Sequence, residues 1–125
     1  RILLELRSDV AMWGITGGRL EPGETPQQCG CREIFEETAI RLRPESLRLI
    51  NIYANPHDGR VLQYPETRVH LVDLLYVASI SSSEQIVLSD ESLSFDFFCA
   101  DEMPIQIVPP ARRPLEELIN KGLIQ

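Results

Sequence analysis

Four glutamates fall between positions 24 and 37: Glu24, then Glu33, Glu36 and Glu37. On a helix each residue advances about 100°, so with Glu33 set at 0° Glu37 falls near 40° and Glu36 near 300°, inside one arc roughly 100° wide. Ile34, Cys31, Thr38 and Phe35 fall at roughly 100–200°, a stripe expected to face the core. Carboxylates at i, i+3 and i+4 repel by about a few tenths of a kcal/mol per pair on a bare helix. The one cation in this stretch is Arg32, at about 260°, flanking the acidic arc. A hard divalent cation would turn the repulsion into binding, because Mg²⁺ takes a few carboxylates together with waters and phosphate oxygens. A simply solvated acidic face is the competing reading at this level.

The preceding loop bears on that choice. Gly17-Gly18 is expected to supply backbone geometry closed to other residues. Pro22-Gly23-Glu24 reads as a turn that delivers Glu24 to the helix entrance, facing either Arg32 or the helix N-terminus, both of which favour a carboxylate. Thr25 is an N-cap candidate, Pro26 suits the first helical position and Gln28 can close a capping box. The helix should run to about Glu37 or Thr38. Gly30 in its interior costs near 1 kcal/mol relative to alanine. With Cys29 it flanks the acidic arc, where small residues would let the loop lie close and set the carboxylates against a loop carbonyl.

The elements that must hold this segment are those of one domain. The chain has 125 residues, 43% hydrophobic and 25% charged, enough to bury a core without disulfides or a structural metal. Arg1–Arg7 reads as a strand, and because the sequence opens directly in it, the natural beginning is expected to lie upstream with any targeting signal. Ser8–Pro22 reads as a loop, Leu47–Ala54 as a strand, Asp58-Gly59 as a turn and Arg68–Ile80 as one long strand. Ser79–Gln85 is a polar loop, Leu93–Cys99 a strand, and Pro109-Pro110 opens a last helix carrying Leu115, Leu118 and Ile119. Strands with two separated helices suggest an α/β fold with a sheet sandwiched between helices.

Charge and cysteine usage exclude several classes. A net charge of −7 argues against a nucleic-acid polymer as partner, which needs a basic face. It also means that an anionic substrate needs a cation or clustered arginines. Cys29, Cys31 and Cys99 form neither a disulfide framework nor a zinc ligand set with His57 and His70. They read as buried thiols suited to a reducing cytosol, so a cytoplasmic location is expected. No run is long and apolar enough for a membrane span.

Gly18-x5-Glu24-x7-Arg32-Glu33-Ile34-x-Glu36-Glu37-x-Ala39-Ile40 resembles the Nudix box of the Nudix (MutT-like) hydrolases, with Ala39 in place of the usual late glycine. Trp13-Gly14-Ile15-Thr16-Gly17-Gly18 is similar to the family's approach to the box, with Thr16 where proline is usual. Asp90-Glu91-Ser92, Phe97-Phe98 and Asp101-Glu102-Met103-Pro104 are similar to its late strand and following turn. If Ala39 must be left-handed, it costs about 1 kcal/mol without removing a ligand.

The resemblance implies a single Nudix domain over residues 1–125, an α/β/α sandwich with a mixed sheet, and Mg²⁺-dependent hydrolysis of a pyrophosphate bond, Mn²⁺ being a substitute. It implies Glu36 and Glu37 as leading metal ligands, Glu33 as a further ligand or the base, and the Gly18 carbonyl as an extra ligand. Arg32 would orient a carboxylate, and Glu91 would serve as a distal ligand or base. Glu24 and Gly17 would support the site. Dimers are common in the family, so the resemblance leans toward a homodimer.

The substrate is legible only as a small nucleotide. Arg7, Arg60 and Arg68 are candidates for phosphate contacts, and Tyr64, Tyr53 and Trp13 for stacking on a base. Pro56, sixteen residues after Ile40, resembles a feature of ADP-ribose-cleaving members, while the short chain fits triphosphate-cleaving ones equally. A nucleotide sensor of the same fold and a plain structural domain are the competing functions; the intact carboxylate set argues against both.

Overall fold

The structure is a computed structural model that describes residues 1–81 and 83–125. Among the described residues there are seven strands and two α-helices, one helix after the second strand and one after the seventh. β1 (Ile2–Arg7) pairs antiparallel with β2 (Trp13–Gly14) and β7 (Ser92–Phe98), so β1 lies between them. β3 (Arg48–Tyr53) pairs antiparallel with β6 (Asp73–Val77), and β4 (Val61–Gln63) with β5 (Arg68–His70). A parallel bridge between Trp13 and Ile107 makes the pairing mixed. The expected strand over 68–80 is split at Leu71-Val72 into β5, which folds back on β4, and β6, which joins β3. A continuous apolar run carries no mark of where its pairing partner changes. The expected loop over 79–85 includes Ser82, which lies outside the described residues.

The side-chain alternation of β1 sets the two faces. Leu4 is fully buried in a cluster with Leu75, Leu115, Leu118 and Ile124, packed by Ile2, Trp13 and Phe98. Leu115 and Leu118 belong to α2 (Pro109–Asn120), and full burial of each such side chain contributes roughly 1.5–3 kcal/mol. Glu5, the next residue along β1, is also buried but points the other way, toward Glu37 of α1 (Pro26–Thr38). The helices therefore flank β1 on opposite faces, the expected sandwich. Ile40, just past α1, is buried outside the α2 cluster.

α2 contains a proline, and that explains a buried cation. Pro114 lies inside the helix and has no N–H for the carbonyl four residues back. That carbonyl, on Pro110, instead accepts from Arg60 Nη2 at 3.1 Å. Arg60 is 2% exposed. Its Nη1 donates to the Asp58 carbonyl at 3.3 Å. Its Nε stands 2.9 Å from Asp73 Oδ2 at an angle that makes an ion pair rather than a directed hydrogen bond. The sequence marked Arg60 as a phosphate contact; buried and engaged in this way, it is part of the scaffold.

Candidate active site

α1 begins as its sequence dictates. The Thr25 side chain accepts from the Gln28 N–H at 3.1 Å, and the Gln28 side chain accepts from the Thr25 N–H at 2.9 Å, a capping box with Pro26 behind it. The helix ends at Ala39, which takes φ 64°, the left-handed turn that glycine usually fills.

α1 is a continuous helix through Glu33, Glu36 and Glu37, and their burial and partners differ. Arg32 gathers most of the glutamates. Its Nε and Nη2 donate to the two Glu24 carboxylate oxygens at 3.0 and 2.8 Å. Its Nη1 donates to Glu33 at 2.8 Å and reaches Glu36 at 3.3 Å, and Nη2 also donates to the Arg19 carbonyl at 2.9 Å. These charge-assisted bonds hold the Glu24 carboxyl down to about 2, helped by the Glu21 N–H. Of the two partners foreseen for Glu24, the structure places it on Arg32.

Glu37 turns the other way. It is 6% exposed, whereas Glu36 stays open and Phe35, expected in the core stripe, is exposed under the guanidinium of Arg41, 4.3 Å above its ring. Of the expected stripe, Thr38 is buried and Cys31 and Ile34 are half-buried, while Phe35 is exposed and the buried side of α1 extends to Glu37, which faces Glu5. Burial raises the Glu37 carboxyl well above the ordinary carboxylate range, and the Glu5 carboxylate pushes it the same way, with smaller contributions from Glu33 and Glu91. Glu37 Oε2 is buried with no hydrogen-bond partner.

Glu5, Glu37, Glu91, Arg7, Ile15 and Gly17, with Ser8 and Asp9, line a cavity of about 360 Å³. Glu91 reaches it through a cross-chain tie: its carbonyl accepts from the Ser8 N–H at 3.0 Å and the Ser8 hydroxyl at 2.9 Å. Sequence reading missed Glu5. A glutamate in an otherwise apolar strand was the available signal, but only the packing of β1 on α1 reveals its partner.

The glycine loop is explained by space rather than by backbone angle. Neither Gly17 nor Gly18 has a positive φ, contrary to expectation. A Cβ on Gly18 would lie 2.1 Å from the Glu33 carboxyl, while one on Gly17 would meet nothing within 4 Å. Cys29 does approach the loop, its Sγ 3.9 Å from the Gly18 carbonyl. Gly30 instead faces Leu47, 2.9 Å from where a Cβ would stand.

The substrate candidates are dispersed. Arg7 lines the cavity, paired with Asp9 at 2.6 Å. Arg68 and Tyr64 sit at the β4–β5 hairpin, outside the residues that line it. Trp13 packs edge-on to Phe98, Tyr53 donates to Glu117 at 2.7 Å, and Pro56 opens a 3₁₀ turn. Among the described residues, no three Asp, Glu, His or Cys side chains converge closely enough to enclose a metal ion as they stand.

The model of the NUDIX domain matches residues 1–118. The chain belongs to the Nudix family. This Nudix hydrolase is 25% identical over 120 residues to a putative 8-oxo-dGTP diphosphatase of Bacillus subtilis, covering 96% of this chain and 72% of that protein. It is 28% identical over 114 residues to the nucleoside triphosphatase NudI of Salmonella newport, covering 90% and 77%. Its fold matches the MutT NUDIX hydrolase from Burkholderia pseudomallei with TM-score 0.75 and 27% identity over 94% of this chain and 88% of that one. The fold also matches a bifunctional NMN adenylyltransferase/ADP ribose pyrophosphatase from Francisella tularensis complexed with AMP and a Mn ion, with TM-score 0.69 and 19% identity over 95% and 37%. As a Nudix hydrolase the protein is an enzyme that cleaves a pyrophosphate bond in a nucleotide-linked substrate, in a family that works with divalent metal ions. None of its helices is long and apolar enough to cross a membrane, among the described residues.

Proposed function

We propose that this Nudix hydrolase is a Mg²⁺-dependent pyrophosphohydrolase of nucleoside triphosphates, with residues 1–125 belonging to a single Nudix domain, and that it acts in the cytoplasm. The observation that carries the metal reading is Glu37: a buried carboxylate oxygen without a partner, beside a second buried carboxylate, costs several kcal/mol unless a cation compensates it. The donor set is all oxygen, which suits Mg²⁺, with Mn²⁺ as substitute. Glu33, Glu36, Glu37 and the Gly18 carbonyl would hold the ion. Bound there, it supplies charge neutralisation for the phosphate oxygens and a lowered pKa for attacking water.

The protein's own groups divide the remaining work. Arg32 fixes Glu24, Glu33 and Glu36 at once, so the loop and the helix keep one geometry. Glu33 has one oxygen taken by Arg32, which suits it to holding a cation. Glu91, on the cavity wall, suits proton removal from the attacking water. Arg7 on the same wall is placed to meet a phosphate if it leaves Asp9; Arg68 and Tyr64 take no part in this reading. The triphosphate class rests on the two curated relatives, which match most of this chain. Three free thiols are in keeping with a reducing compartment.

The test is turnover of a panel containing nucleoside triphosphates (oxidised ones included), ADP-ribose, dinucleoside polyphosphates and nucleotide sugars, with and without Mg²⁺. Triphosphates should be preferred, and activity should require the cation. Glu37→Gln should lower turnover by orders of magnitude with the fold retained; near-normal turnover in that variant overturns the reading.

A further inference from the structure

We infer that Glu5 is a further ligand of the divalent cation, approaching it from the sheet as Glu37 does from the helix. The inference rests on the metal site proposed above and adds to it a residue outside the Nudix box. Glu5 follows Ile2-Leu3-Leu4 in β1 and is 6% exposed. An ionised carboxylate so buried is costly unless it is paired.

What Glu5 has is one hydroxyl donor, Ser92, and one carboxyl within hydrogen-bonding reach, Glu37. When both carboxyls are ionised, neither can donate, and Glu37 Oε2 has no partner. Arg7, the nearest guanidinium on the same strand, is engaged by Asp9 at 3.1 and 2.6 Å. No described arginine or lysine forms an ion pair with Glu5 or Glu37. Two buried anions from different elements, open to one cavity, form a bite for a hard cation. Mg²⁺ commonly takes one or two protein carboxylates and completes its shell with water and phosphate, so Glu5 and Glu37 suffice to anchor the ion to which the other proposed ligands add.

The experiment measures Mn²⁺ binding to the purified full chain, by the paramagnetic signal of the free ion and by calorimetry, without substrate. The wild type should bind, and Glu66→Gln, at an exposed hairpin acid, should bind equally. Glu5→Gln should bind at least about tenfold more weakly. It should also melt higher than the wild type without metal and lose the wild type's Mn²⁺-dependent rise in melting temperature. Glu5→Asp, which keeps the charge, should retain more of the affinity than Glu5→Gln, and Glu5→Ala, equally weakened, replaces the latter if it fails to fold. If Glu5→Gln binds Mn²⁺ as the wild type does, Glu5 merely shares a proton with Glu37 and the inference falls while the metal reading stands. A wild type that binds no Mn²⁺ overturns both.

Discussion

Gly18 lies so close against Glu33 that a Cβ there would stand 2.1 Å from the carboxyl carbon. The loop and the helix are thus in contact at one of the proposed ligands, and the glycine is required for space. Gly18→Ala should displace either the loop or Glu33 and lower kcat by at least about tenfold, since small misplacements in a preorganised site are expensive. Gly17→Ala, next door, meets nothing within 4 Å and should keep its fold and most of its activity. Steady-state kinetics of the two variants checks the contrast; equal effects would refute it.

Glu24 and Arg32 make an acid-sensitive clamp. The Arg32 hydrogen bonds lower the Glu24 carboxyl from 4.5 to about 2. A depressed folded pKa gives stability that is present above the unfolded pKa and lost as pH falls through the folded one. The contribution should therefore be complete above pH 4.5 and disappear between pH 4.5 and about 2. Acid unfolding of Glu24→Gln should show lower stability than the wild type at neutral pH and a shrinking difference across that window. A constant difference through the window would contradict the assignment.

Ala39 closes α1 at φ 64°, a conformation that costs an L-residue about 1 kcal/mol. Ala39→Gly should raise stability by roughly 1 kcal/mol, less some unfolded-state entropy. Urea unfolding should show a higher midpoint at unchanged slope, with kcat unaltered because no ligand is touched. A drop in midpoint would mean that the alanine methyl makes a contact worth more than the strain.

Arg60 and Pro114 should be energetically coupled. Arg60 donates to the Pro110 carbonyl that Pro114 cannot serve. Arg60→Ala should cost about 2–3 kcal/mol by stranding buried acceptors and leave KM unchanged in whatever enzyme remains folded. Adding Pro114→Ala, which restores an N–H donor, should recover part of that loss in a double-mutant cycle. Strict additivity would show that the carbonyl is not the link.

Much of this site was legible along the chain because its determinants are local. The capping box of Thr25 and Gln28 and the start and end of α1 follow from residue types at fixed spacings, the left-handed position at Ala39 was implied by the family resemblance, and Arg32 was one of two partners open to Glu24. The spacing of Gly18, Glu24, Arg32, Glu33, Glu36 and Glu37 resembled one family's box, and the family match over residues 1–118 agrees with it.

Tertiary structure decided what depends on which surfaces meet. A helical projection gives angles but no inside and outside, so it placed Glu37 with Glu36 on an acidic face and Phe35 in the core. Packing against β1 buried Glu37 opposite Glu5, which only the strand's position shows, and left Phe35 outside under Arg41. The same holds for Gly18, needed for a contact rather than a backbone angle, and for Arg60, drawn inward by a carbonyl that a proline left unserved. Short-range stereochemistry is written in the order of residues; the company a buried charge keeps is set by long-range packing, which one sequence does not spell out.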